Sequence, residues 1–152
     1  MGLKRFALGA TAAVMTSMAL IVGLGSADTG KAGIIAGLLI IGIADNLSDS
    51  LGIHVHEESE TGSTGALALA VSNYITRLLL VCSFLALVLL HPPTVARVAS
   101  LAWGAVALSV LTYFIAKARG ARPWSQILLH LVVASIVIAL SQAIGVAIRR
   151  TL

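Results

Sequence analysis

The chain has 152 residues, 59% hydrophobic and only 11% charged, with ten Lys and Arg against six Asp and Glu. A mean hydropathy of +1.03 excludes an ordinary soluble domain, and the short polar stretches left over exclude an appended soluble catalytic domain. The net charge of +4 comes from basic residues scattered at the ends of apolar runs, with no aromatic platform around them, which argues against nucleic acid and for topology signals at a bilayer surface.

Crossing hydrocarbon takes about 20 apolar residues in a helix. Five stretches qualify, approximately 6–25, 33–53, 67–90, 97–116 and 125–148. The expected fold is therefore an all-α integral membrane protein: one membrane domain over 1–152, with five transmembrane helices satisfying their own backbone groups.

The first run, Phe6 to Leu24, is uncharged for nineteen residues and exceeds the about 7–15 of a signal-peptide core. A retained helix is expected, although Lys4-Arg5 and the small residues before Asp28 have a leader-like layout. Thr11, Met15 and Met18 share one side of it; a thioether is a soft metal ligand, but packing is its commoner role.

The second run is expected to be capped by Asp28 or Thr29. Gly33 and Gly37 form a GxxxG pair, with Gly42 farther along, which suits either neighbouring-helix packing or a dimer interface. Residues Ala32 to Ala44 carry no charge, and then five of the six carboxylates arrive together: Asp45, Asp49, Glu57, Glu58 and Glu60, with His54 and His56 among them. Asp45 precedes Ile53 by roughly 12 Å of helix, which places it at membrane depth. Residues 54–60 read as an acidic cytoplasmic extension, followed by a flexible break at Thr61–Gly65.

The third run contains Arg77, with Asn73 one turn before it; the guanidinium is expected to pair with Asp45, Asp49 or Glu60, or to snorkel. Cys82, the single cysteine, cannot form an intramolecular disulfide and reads as a buried structural thiol. Pro92-Pro93 stops this helix and His91 reads as an exposed loop residue. Pro123 suits the first turn of the last helix, in which His130, Ser141 and Gln142 are expected to hydrogen-bond between helices. With the N-terminus inside, Lys4, Arg5, Arg77, Lys117, Arg119 and Arg122 face the cytoplasm and Lys31, Arg97, Arg149 and Arg150 face out. Six against four favours a cytoplasmic N-terminus.

At about 100° per residue, Asp45, Asp49, His56 and Glu60 project within roughly 60° of one another, beside Ser48, while His54 and Glu58 fall opposite. Carboxylate oxygen with imidazole nitrogen suits Mn²⁺, Fe²⁺ or Zn²⁺. Two carboxylates one turn apart can alternatively share a proton. No Gly-x-Ser-x-Gly elbow, His-Glu-x-x-His or Walker loop is present, and no enzyme is expected.

Gly9-Ala-Thr-Ala-Ala-Val-Met-Thr-Ser-Met-Ala-Leu-Ile-Val-Gly23 resembles the first helix of the vacuolar iron transporter family, and residues Ile34 to Gly52 resemble its second. The resemblance implies a five-helix homodimer exporting Fe²⁺ or Mn²⁺ from the cytoplasm in exchange for protons, with the metal as cargo and no permanently bound cofactor. It makes Glu57, Glu58 and Glu60 a shortened metal-collecting segment, and matches Ser48 and Gly52 to the family's Ser-Met-Ala-x-Gly-Glu pattern. Ala12-Ala13 stands where the family usually has Asp-Gly, Asp49 replaces the pattern's Met and Ile53 its Glu. Asp45 and Asp49 would then relocate the membrane carboxylates onto the second helix, or transport would be lost.

Two functions follow. One is a carrier for a divalent transition metal in a prokaryotic plasma membrane, using Asp45, Asp49, His56, Glu57 and Glu60, with Ser48, Met15, Met18 and Arg77 along or beside the path. The other is a non-transporting scaffold or accessory subunit whose acidic helix end docks a partner.

Overall fold

A computed structural model describes the backbone of residues 2–61 and 65–151 and the side chains of 9–60 and 65–151. The helices are α1 (Gly2–Ser26), α2 (Gly30–Ile40), a π-helical turn (Ile41–Asp45), α3 (Asn46–Thr61), α4 (Ala66–Leu90), α5 (Pro93–Ala118) and α6 (Pro123–Thr151). The stretch from α2 through α3 is one continuous rod, so five helices are long and apolar enough to cross a membrane. These are the helices of an integral membrane protein. The break expected at Thr61–Gly65 falls mostly outside the described residues.

Proline and turn chemistry set several of the ends. Pro93 and Pro123 each open a helix, where a missing N–H removes no intrahelical bond. Between α1 and α2 the chain reverses through Asp28 (φ 60°) and Gly30 (φ 73°), both left-handed. Thr29 does not cap α2 as expected; its Oγ1 donates instead to the Leu24 carbonyl, 3.1 Å away, closing the end of α1. Lys31 Nζ donates to the Leu89 carbonyl at 2.8 Å, placing a cation at the C-terminus of α4, where the helix dipole favours it. His91, expected to be an exposed loop residue, is part-buried there, its Nδ1 lying 3.1 Å from the Leu87 carbonyl.

Helix α1 is the central element and packs on α2, α4, α5 and α6. Its apolar window is 56% buried, against 11% for α6, so α1 is the core helix and α6 an outer one. Val14, Met18, Ile21, Leu38, Phe84, Val88 and Leu108 form the core. Glycines let the backbones close in. A Cβ on Gly104 would strike the Met18 thioether, and one on Gly145 would strike the Gly23 carbonyl. Met18 is 2% exposed and packs in that core. Met15 packs against the same cluster.

Gly37 belongs to the internal packing as well: an added Cβ would lie 2.9 Å from Leu24 and 3.0 Å from Leu20. The outer surface is aliphatic, with Leu79, Val98, Val106, Leu128 and Ile144 all exposed, as lipid contact requires. Cys82 is among the exposed residues, contrary to the expectation of a buried thiol. The apolar run around it has no polar side to mark which face turns outward. His130 does bond between helices, its Nδ1 lying 3.0 Å from Thr112 Oγ1 of α5.

Candidate functional site

An ion cluster joins α3 to α4 at membrane depth. Arg77 lies ~20 Å along α4 from Leu90, so about 10 Å of a ~30 Å hydrocarbon layer remains beyond it. It is 3% exposed, and burial of a charge at that depth calls for partners, which each of its three nitrogens has. Nε donates to Asn46 Oδ1 at 2.7 Å, Nη2 to Asp45 Oδ2 at 3.2 Å, and Nη1 to Asp49 Oδ2. One planar fork thus engages three side chains of the facing helix.

The local fold of the second span explains why those three converge. Residues 45, 46 and 49 share an arc of roughly 100° on a helix. The π-helical turn ends at Asp45 and so sets the angle at which this arc leaves the upstream rod. Asn46, fully buried, donates from Nδ2 to the Gly42 carbonyl at 3.2 Å, satisfying the widened turn, while its Oδ1 serves Arg77. Gly42 is buried because α4 presses on it: an added Cβ would lie 3.3 Å from Val81.

One turn from Arg77, Asn73 Nδ2 donates to Ser50 Oγ at 3.1 Å, both residues buried. Asn73 Oδ1 is buried with no hydrogen-bond partner among the described residues. It abuts Gly9, where any Cβ would collide with it, so Gly9 is what lets α1 seat on this part of α4.

The cluster is not sealed. Asp45 and Asp49 are 50% and 51% exposed although Arg77 is buried. A pocket of about 370 Å³ opens beside them, lined by Gly9, Ala12, Asp49, Gly52, Ile53, His56 and Arg77. Helices α1, α3 and α4 therefore make its walls, and Ala12 stands on the same pocket as Asp49.

The other sequence candidates separate from this group. Glu57 is only 5% exposed and is engaged within the protein. Glu60 and Ser48 are exposed, and His54 pairs with Glu58 at 3.6 Å. His54 turns toward a cleft with Leu67, Val71 and Tyr74 of α4, away from the Arg77 pocket. Among the described residues no three His, Cys, Asp or Glu side chains converge as a ready metal cluster. The expected set Asp45, Asp49, His56, Glu57 and Glu60 is thus not assembled into one ligand sphere; Arg77 holds the two aspartates and His56 stands at the pocket wall.

Sequence reasoning found Arg77 and its acidic partners but missed Asn46, Ser50 and Gly9. An amide directly after Asp45 in an otherwise apolar run was the available signal for Asn46. Nothing in the sequence marked Gly9 apart from the chain's other glycines.

These features define a polytopic helical membrane protein with a paired charge cluster beside a pocket that Asp49, His56 and Arg77 line. No family model matches the chain, and neither a curated protein nor a solved structure does. The resemblance to the vacuolar iron transporters therefore rests on residues 9–60 alone.

Proposed function

We propose that this protein carries a divalent transition-metal cation, Fe²⁺ or Mn²⁺, out of the cytoplasm of a prokaryotic cell, working as a homodimer with a cytoplasmic N-terminus. Asp49 and Asp45 are the membrane-depth acceptors, and His56 receives the ion at the pocket. The observation that carries this reading is a pair of half-exposed carboxylates at membrane depth, one of them lining a pocket of about 370 Å³ with an imidazole. Ionisable groups in such a position are costly and mark ion paths. Oxygen and imidazole ligands suit both metals.

The test is uptake of Mn²⁺ and of Fe²⁺ into proteoliposomes containing the purified protein, with Asp49→Asn as the control. Uptake by the wild type and none by the variant supports the carrier; uptake by neither rejects it. The scaffold reading is favoured by one observation, that Arg77 engages both carboxylates through Oδ2. On that reading the cluster only fastens α3 to α4, and loss of Asp49 lowers stability without a transport phenotype.

A further inference from the structure

Arg77 is more than a fastener in its setting. It is 3% exposed, yet it forms part of the wall of the same pocket that Asp49 lines. Its two terminal nitrogens take the carboxylates, while Nε is held separately by Asn46 at 2.7 Å. A divalent cation that takes the Oδ2 atoms of Asp45 and Asp49 must therefore displace a cation that the protein itself supplies, and a pocket of about 370 Å³ lies beside the guanidinium.

The charge count gives this arrangement a consequence. With the aspartates ionised, the empty cluster of Asp45, Asp49 and Arg77 carries −1, and the loaded cluster carries +1. Without Arg77 the empty state would carry −2 and the loaded state none. A doubly charged empty site at this depth is costly, so a carrier lacking Arg77 would hold its metal and reset poorly.

We propose that Arg77 is the resident counter-ion of the carrier: it occupies Asp45 and Asp49 in the empty state, yields them to the divalent cation, and returns on release. This rests on the metal-carrier reading and names Arg77 as a positioning residue for it. Among the described residues, the other groups at the cluster and its pocket are Asp45, Asp49 and His56, and α1 lines the pocket with Gly9 and Ala12.

The experiment separates binding from turnover. Mn²⁺ binding is measured by electron paramagnetic resonance on protein in nanodiscs, and Mn²⁺ uptake in proteoliposomes. Arg77→Gln should bind Mn²⁺ at least about tenfold more tightly, the factor recovered when a site about 90% filled by its own competitor is freed. Its maximal uptake rate should nevertheless fall. Arg77→Lys keeps the charge but lacks the planar fork that holds both carboxylates and Asn46 at once, so it should compete less well, bind Mn²⁺ more tightly than wild type and still transport.

Unchanged or weaker binding by Arg77→Gln overturns the proposal, as does uptake that rises in step with affinity. If Arg77→Gln fails to fold, Arg77→Lys decides, and wild-type affinity in that variant overturns the proposal. Wild-type binding with no tightening in either variant rejects the counter-ion role alone. Absence of Mn²⁺ binding in the wild type and both variants rejects the carrier reading and this inference together.

Discussion

Replacing Asp49 by Asn removes one of two carboxylates from a buried guanidinium while keeping size and shape. Arg77 then retains Asp45 at 3.2 Å and Asn46 at 2.7 Å. A hydrogen bond to a charged group contributes about 1.5–3 kcal/mol, and the 51% exposure of Asp49 discounts this, so the expected loss of stability is about 1–2 kcal/mol. The double variant Asp45→Asn, Asp49→Asn leaves Arg77 with no carboxylate at 3% exposure. Its cost rises to about 3–5 kcal/mol, the range for a buried charge stripped of its counter-ion. The two changes should therefore be more costly together than the sum of the single losses, because the second removes the last countercharge. Equilibrium unfolding in mixed micelles with increasing dodecyl sulfate, followed by the fluorescence of Trp103 and Trp124, measures Asp49→Asn, Asp45→Asn and the double variant. Strictly additive losses, or a double variant as stable as wild type, would refute the cluster as drawn. Stable Asp49→Asn protein with normal uptake would remove both the structural and the transport role of that residue.

Gly9→Val should cost about 1–3 kcal/mol in the same unfolding assay, because its side chain drives into Asn73 and overpacks the seat of α1 on α4. His56→Ala should weaken Mn²⁺ binding, since His56 lines the pocket, whereas His54→Ala with Glu58→Ala should leave it unchanged, since His54 lines another cleft and Glu58 is exposed; equal effects would mean bulk charge and not a site. Native mass measurement in nanodiscs should report a dimer, and a strict monomer would remove that part of the proposed function. Gly37→Leu should lower the stability of the single chain by about 1–3 kcal/mol, because the added side chain meets Leu20 and Leu24 of α1; loss of dimer with unchanged chain stability would contradict that placement.

The features visible in the linear chain were those that lipid penalises locally. Apolar length marked the five spanning helices, because hydrocarbon tolerates no unsatisfied backbone and so leaves helix as the only conformation for such runs. Proline marked the starts of α5 and α6, because its ring and missing N–H act within one turn. The pairing of Arg77 with Asp45 and Asp49 was also legible, since an arginine buried in this bilayer has few partners of opposite charge within reach.

What only the tertiary structure decided is which way each side chain faces. In water, a helix buries its apolar stripe and the period of the sequence reveals it; in lipid, both faces of a helix are apolar and that contrast disappears. Cys82 therefore turned outward, against expectation. The same loss of contrast hid Asn46, whose side chain reaches Arg77 from a helix 31 residues away in sequence, and Gly9, whose missing Cβ matters only because Asn73 stands against it. The sequence determined the spans and the charges that had to meet; packing of α1 against α4, and the widened turn at Ile41–Asp45, determined the cluster and pocket those charges form.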